Sequence, residues 1–166
     1  MANVIKGRMT AEPDGDFVVF LIGMRINRPW KLHKWLPVAR AMGPMLRVLS
    51  TEKELGLLGY TSWVSLHGPL LVQYWRSFEH LERFARDSSL PHLAAWRGYN
   101  RRVGKDGDVG VWHETYQVSA GRYETIYANM PMLGLMAVGT QVPVGGRGDT
   151  AAGRIRQHVP STRDDN

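Results

Sequence analysis

Four side chains of this 166-residue sequence offer chemistry that packing alone does not require: His92, His113, Glu114 and Arg25. His92 stands in the run Pro91-His92-Leu93-Ala94-Ala95-Trp96, and spacings of three, four and seven residues put it on one helical face with Ala95, Trp96 and Tyr99. An imidazole among aromatic rings serves as a general base, as a ligand to a prosthetic group, or as a core histidine satisfied by a backbone group. His113 and Glu114 are consecutive in an alternating stretch. His113 therefore shares one face with Val109, Val111 and Thr115, and Glu114 shares the other with Trp112 and Tyr116. One of these two sets is expected to line a pocket. Arg25 continues an otherwise apolar strand face, where a buried guanidinium must pair with an acid such as Glu114 or hold an anionic ligand. Trp63, Trp75, Trp96, Trp112 and Tyr116 are available as substrate-binding walls, although ordinary core packing would employ the same residue types.

The other histidines carry less. His33 and His80 sit among charged neighbours on helical stretches, His67 falls in a hairpin turn, and His158 lies in a polar tail. No two histidines have the spacing of a helical metal site, and neither HExxH nor a facial triad occurs, so no dedicated metal site is expected. The absence of cysteine excludes disulfides and thiolate chemistry. Gly145-Gly146-Arg147-Gly148 lacks the lysine, preceding strand and following helix of a phosphate loop and reads as a linker. The net charge is +6, but the cations are interleaved with acids outside Arg97 to Lys105, and no nucleic-acid-binding pattern is present. Nucleic acid is therefore not an expected partner; a basic rim that draws an anionic small molecule toward a pocket accounts for the charge as well. The longest apolar strand run, Phe17 to Met24, is too short to span a bilayer, and no leader or lipidation motif is evident. A cytoplasmic protein with no membrane partner is the resulting expectation.

The elements that must position these residues follow from periodicity. Residues 1–15 read as a mobile arm ending at Pro13-Asp14-Gly15, residues 16–140 as one domain, and residues 141–166 as a flexible tail. Phe17 to Ile26 is predicted as a strand whose two faces are both mainly apolar, and so covered on both sides. An apolar stripe from Leu32 to Leu49 marks a helix in which Pro37 and Pro44 should cause breaks or kinks. Leu57 to Leu66 and Leu70 to Trp75 form a hairpin around His67-Gly68-Pro69. Ser77 caps a helix with Phe78, Leu81 and Phe84 inward, Pro91 starts another, and Asp108 to Val118 is a last strand. Tyr123 to Leu135 is expected to fold across the domain or a partner. The order β-α-β-β-α-β specifies an α+β, ferredoxin-like fold with an antiparallel sheet, and two such sheets packed face to face would bury the face that helices leave open.

Tyr74-Trp75-Arg76-Ser77 at a strand-to-helix junction, His92-Leu93-Ala94-Ala95-Trp96-Arg97, Val111-Trp112-His113-Glu114-Thr115-Tyr116 and Tyr127-Ala128-Asn129-Met130-Pro131 together resemble the dimeric α+β-barrel superfamily of antibiotic-biosynthesis-type monooxygenases. The resemblance runs over roughly residues 4–140 and is nearest to the subgroup related to the fumagillin-pathway monooxygenase. It implies a homodimer and a small-molecule oxidoreductase, monooxygenase-like, acting on an aromatic or polycyclic metabolite in a pocket between sheet and helices. In that leading reading no cofactor is required: His92, His113 and Glu114 supply the catalytic groups, and Arg25 and the aromatic residues hold the substrate. The superfamily also contains haem enzymes, including aldoxime dehydratases, so the resemblance equally implies an alternative with haem on a histidine, His92 being placed in a helix as their ligand is. Phe84 stands near where the haem-degrading members carry tryptophan, and no strand-one asparagine is present. A second alternative is a non-catalytic dimer that binds a ligand in the same pocket.

Overall fold

The computed structural model describes residues 3–157, so His158 and the end of the expected flexible tail lie outside the described residues. In chain order the elements are β1 (Val4–Glu12), β2 (Phe17–Ile26), α1 (Leu32–Thr51), β3 (Leu57–Ser65), β4 (Gly68–Trp75), α2 (Phe78–Arg86), α3 (Pro91–Arg102), β5 (Val109–Val118), β6 (Tyr127–Pro131), β7 (Thr140–Pro143) and α4 (Ala151–Gln157), with short 3-10 turns between some of them. They divide into two compact units where one was expected: residues 18–116 make the first, and the described parts of residues 1–17 and 117–166 make the second.

The first unit is the ferredoxin-like one. Its sheet runs β3-β4-β2-β5, with β4 antiparallel to both neighbours, and the second crossover is divided into α2 and α3. Register fixes the faces, because partners directly opposite each other point the same way. Val18 pairs with Trp75 and Ile22 with Leu71; Gly23 pairs with Leu70, which in turn faces Trp63. Val18, Leu57 and Trp75 pack with Met45 and Leu49 of α1 and with Leu81 and Phe84 of α2, so this side of the sheet carries the helices. Trp75 is fully buried there and its Nε1 donates to Gln73 Oε1 at 3.0 Å, which satisfies both buried polar groups. The opposite side bears Val19, Leu21 and Gly23 of β2 with Trp63, Trp112 and Tyr116, and those last three rings are 52%, 42% and 50% exposed. Helices thus cover only one face of β2, not both.

Several local expectations are met and several are corrected. Ser77 caps α2, its Oγ accepting from His80 N and lying 2.9 Å from His80 Nδ1, and Pro91 occupies the first turn of α3. This contact makes His80 half-buried rather than a plain surface residue. Gly68 ends the hairpin turn at φ +131, where a Cβ would stand 2.1 Å from Met24 O; only glycine fits. Pro37 and Pro44 do not interrupt α1, which is helical throughout Leu32–Thr51. Each proline costs about 3 kcal/mol in a helix interior, but Met45 and Leu49 are buried in the core and Ala41 and Met42 pack against it, which holds the helix together across both sites. Arg25 is exposed, because it falls on the face without helices, and forms no ion pair with a described carboxylate.

The second unit replaces the expected arm and tail. β1 pairs antiparallel with β6 (Val4 opposite Pro131, Met9 opposite Tyr127) and with β7 (Thr10 opposite Val142). Tyr123 to Leu135 therefore supplies a strand to this three-stranded sheet, and Leu135 and Met136 are buried beneath it. Asn129 adopts φ +53 and its Oδ1 accepts from Gly7 N at 3.0 Å. The buried Arg154 of α4 donates to Glu124 Oε2 at 2.7 Å and to Gly148 O at 2.9 Å.

Asp108 is the one fully buried carboxylate of the first unit. Lys31 Nζ lies 2.8 Å from its Oδ2 and Arg28 Nη1 lies 3.1 Å from its Oδ1, while its backbone oxygen accepts from Asn27 N and Arg28 N. The Lys31 hydrogen bond outweighs desolvation and, with the charges of Lys31, Arg28 and Lys34, holds the carboxyl below the ordinary carboxylate range. A depressed folded value means that the contribution is complete above the unfolded value, near pH ~4, and is lost as pH falls through the folded one. Asp108→Asn should therefore lower stability at neutral pH and flatten the decline in melting temperature on acidification below about pH 4. Parallel melting curves of the two proteins over that range would contradict this assignment.

Candidate functional site

A cavity of about 330 Å³ lies in the first unit between α1, α3 and the helix-bearing side of the sheet. Ile22, Met24, Leu71 and Val111 form its floor, Val38 and Met42 come from α1, and α3 contributes His92, Trp96, Tyr99 and Arg102. This volume is at the small end of the range for ligand sites, and the lining is mainly apolar with a few polar groups, as such sites are. Tyr99 donates its hydroxyl to Val109 O at 3.0 Å, which fixes the ring, and Trp96 stacks on it at 5.4 Å between centroids and 19° between planes.

His92 is placed by two contacts. Its ring lies 6.1 Å from that of Phe84, and Nδ1 is 3.0 Å from the carbonyl oxygen of Ala85. A carbonyl oxygen only accepts, so Nδ1 carries the hydrogen and Nε2 of the neutral ring is left with its lone pair. No described residue hydrogen-bonds Nε2. The residue thus combines an oriented imidazole with an open nitrogen, the arrangement needed by a base or a ligand.

Alternation places the other expected site residues elsewhere. His113 shares the helix-bearing side of β5 with Val111 and lies 5.5 Å from Phe20, but it is exposed and does not line the cavity. Glu114 and Tyr116 are on the opposite side, joined by a 2.5 Å hydrogen bond from the phenol to Oε2; that bond and the carboxylate charge push the phenol's pKa up. Trp112 is on the same side, with its indole over Gly23, where a Cβ would come within 2.5 Å of Nε1. Trp63 and Arg25 are also on this open side, and Trp75 is core. The structure therefore brings together His92 and Trp96 of the predicted set and leaves the rest outside the cavity. Arg102 and Gly98 had not been singled out, although the 3.6-residue period through 92, 95, 96 and 99 continues to 102. The basic run at 97–105 masked that signal by reading as a solvated helix end. Among the described residues no group of three histidine, aspartate or glutamate side chains could hold a metal ion, and no helix is long and apolar enough to cross a membrane.

A family model described as Monooxygenase af470-like matches residues 17–135, most of the chain. The chain belongs to the monooxygenase af470-like family. The relative Monooxygenase af470 of Aspergillus fumigatus is 31% identical over 78% of this chain and 53% of its own length. Two solved structures share the fold. An aldoxime dehydratase, OxdRE, crystallised with butyraldoxime, matches with a TM-score of 0.67 at 15% identity over 84% of this chain and 44% of its own. A second aldoxime dehydratase matches with a TM-score of 0.63 at 16% identity and the same coverage. This member of the family thus spans about half the length of the curated relative it matches and somewhat less than half of the two dehydratases.

The tautomer assigned to this family member's His92 is directly measurable. Long-range ¹H–¹⁵N spectra of the neutral ring should show the hydrogen on Nδ1. The opposite tautomer would mean that Ala85 O does not orient the ring.

Proposed function

We propose that the cavity takes up an aromatic or polycyclic metabolite and that His92 initiates its oxidation by molecular oxygen. The observation that carries this reading is the open Nε2 of an oriented imidazole at the wall of an apolar cavity. In such surroundings a neutral base is not competing with bulk water for the substrate proton, and the stacked Trp96 and Tyr99 offer a flat wall to a fused ring system. Nε2 removes a proton from an activated methylene, leaving the electron pair on carbon. The carbanion bonds to dioxygen, the imidazolium returns its proton to the resulting peroxide, and loss of water leaves a ketone, so that R₂CH₂ and O₂ become R₂CO and H₂O. Dioxygen is the oxidant and no further reductant is consumed. His113, Glu114 and Arg25 take no part in this scheme, given where they lie.

The same geometry of His92 favours a second reading, in which haem is bound through Nε2. The donor set fits: an imidazole whose other nitrogen is tied to a carbonyl, facing an apolar cavity in a chain without cysteine. Haem would supply a redox-active iron there; His92 would orient it, and the apolar lining would exclude water.

Two measurements test the function. With anthrone as a probe of activated-methylene substrates, His92→Ala should reduce dioxygen uptake by about 10²–10⁴-fold while preserving the circular dichroism spectrum, and His113→Ala should stay within a few-fold of the parent. If only added hemin gives a Soret band and activity, and His92→Ala abolishes both, the haem reading replaces the first. Ligand binding without turnover in either form would leave a binding protein. The open side of the sheet supports a homodimer, since Trp63, Trp112 and Tyr116 expose large rings on a face without helices. Sedimentation at micromolar concentration should give a dimer that Trp63→Glu with Tyr116→Glu dissociates. A monomer before mutation would refute it.

A further inference from the structure

We infer that the cavity selects an elongated apolar molecule that ends in a carboxylate or a similar monoanion, with Arg102 as the residue that sets this specificity. The inference rests on the reading of His92 as the base and names the class of substrate presented to it.

Among the described residues, Arg102 is the only permanently charged side chain that lines the cavity. It forms no ion pair with a described carboxylate: Asp106 is engaged by Lys34 at 3.0 Å, and Asp108 by Lys31 and Arg28. Its Nη1 lies over Gly98, where an added Cβ would be only 3.0 Å away, so the buried glycine makes the room that the guanidinium occupies. Arg102 ends α3, and the last carbonyls of a helix carry partial negative charge that opposes anion binding. Here the carbonyl of Arg102 itself accepts from Lys34 Nζ at 2.5 Å, and that ammonium offsets part of the opposition. Arg97, Arg101 and Lys105 add to the positive potential at this end.

Spacing along α3 turns this into a length. His92 and Arg102 are ten residues apart, but the guanidinium folds back over Gly98, six residues from His92, so at 1.5 Å per residue the two groups stand about 9 Å apart along α3. Trp96, stacked on Tyr99, lies between them on the same wall. A ligand whose anionic end reaches Arg102 and whose reactive carbon reaches Nε2 of His92 must therefore be long and flat between its two ends. A short acid cannot satisfy both.

Anthracene-2-carboxylate and its neutral primary amide, nearly equal in shape, serve as probes, with binding followed by quenching of tryptophan fluorescence in the full chain. The carboxylate should bind about tenfold more tightly than the amide, as expected for a charge-assisted pair at a partly solvated site. Arg102→Met should collapse that ratio toward one by weakening the acid alone, whereas Arg101→Met, on the same helix but outside the cavity lining, should leave it intact. His92→Ala should also preserve the ratio, so that failure of the base and failure of the anion site are read separately. Equal affinities in the parent, a ratio unchanged in Arg102→Met, or no binding of the acid below millimolar concentration would overturn the inference.

Discussion

The buried carboxylate of Asp108 is the constraint on which the first unit depends. A carboxylate without water is tolerated only when cations and hydrogen bonds replace its solvation, and here all of them come from the loop that leads from β2 into α1. Arg28 and Lys31 face the carboxylate, and the amides of Asn27 and Arg28 bond to the same residue's backbone oxygen. The first residue before β5 is thereby tied to the start of α1. One turn further on, Lys34 reaches Asp106 and the end of α3. The three segments that enclose the cavity are thus joined at one corner by charge, while Phe84, Trp75 and Leu49 pack the helices onto the sheet in an apolar cluster outside the cavity lining.

That division gives the cavity two unlike ends. The end near His92 is built by α2 and the start of α3, where Phe84 packs against the imidazole and Ala85 O orders it. The end near Arg102 is built by the charged corner, where Lys34 caps the helix and leaves the guanidinium free of acids. A single helix carries both groups, so their separation is set by backbone hydrogen bonds rather than by loop conformation. The stacked rings of Trp96 and Tyr99 are fixed to the same helix, and the hydroxyl of Tyr99 anchors them to β5 through Val109 O.

Much of this was legible in the sequence where a pattern has a single physical cause. The apolar strand β2, the Ser77 cap, the glycine turn at 68 and the helical face through His92 all reflect local geometry, and the structure contains each of them. Readings failed where tertiary contacts outweigh local preference. Pro37 and Pro44 sit in an unbroken helix because Met45 and Leu49 are buried against the sheet, a gain that no local rule registers. Val4–Glu12 carries Lys6, Gly7 and Arg8 and looks like an arm; its strand exists because partners more than a hundred residues away, at 127–131 and 140–143, supply its hydrogen bonds. Arg25 was misplaced for a different reason. Both faces of β2 are apolar in sequence, so polarity alone did not distinguish the side that packs on helices from the side that does not.

The same ambiguity explains why the predicted site divided in two. Period-two alternation forces His113 and Glu114 to opposite sides of β5, and once Val111 is fixed as a wall of the cavity, Glu114, Trp112 and Tyr116 must lie outside it. Their common surface has a character of its own: Trp112 lies flat over Gly23, where any side chain would collide with the indole, and Tyr116 is held to Glu114. Glycine at 23 therefore does not weaken the strand so much as let an aromatic ring lie directly on its backbone, widening the flat surface that Trp63 extends two strands away. A sheet that arranges large rings in this way, while the oriented imidazole of His92 lies beyond its other side, keeps the two features apart. The cavity holds the oriented imidazole, and the aromatic face presents exposed ring area, which suits contact with another protein surface.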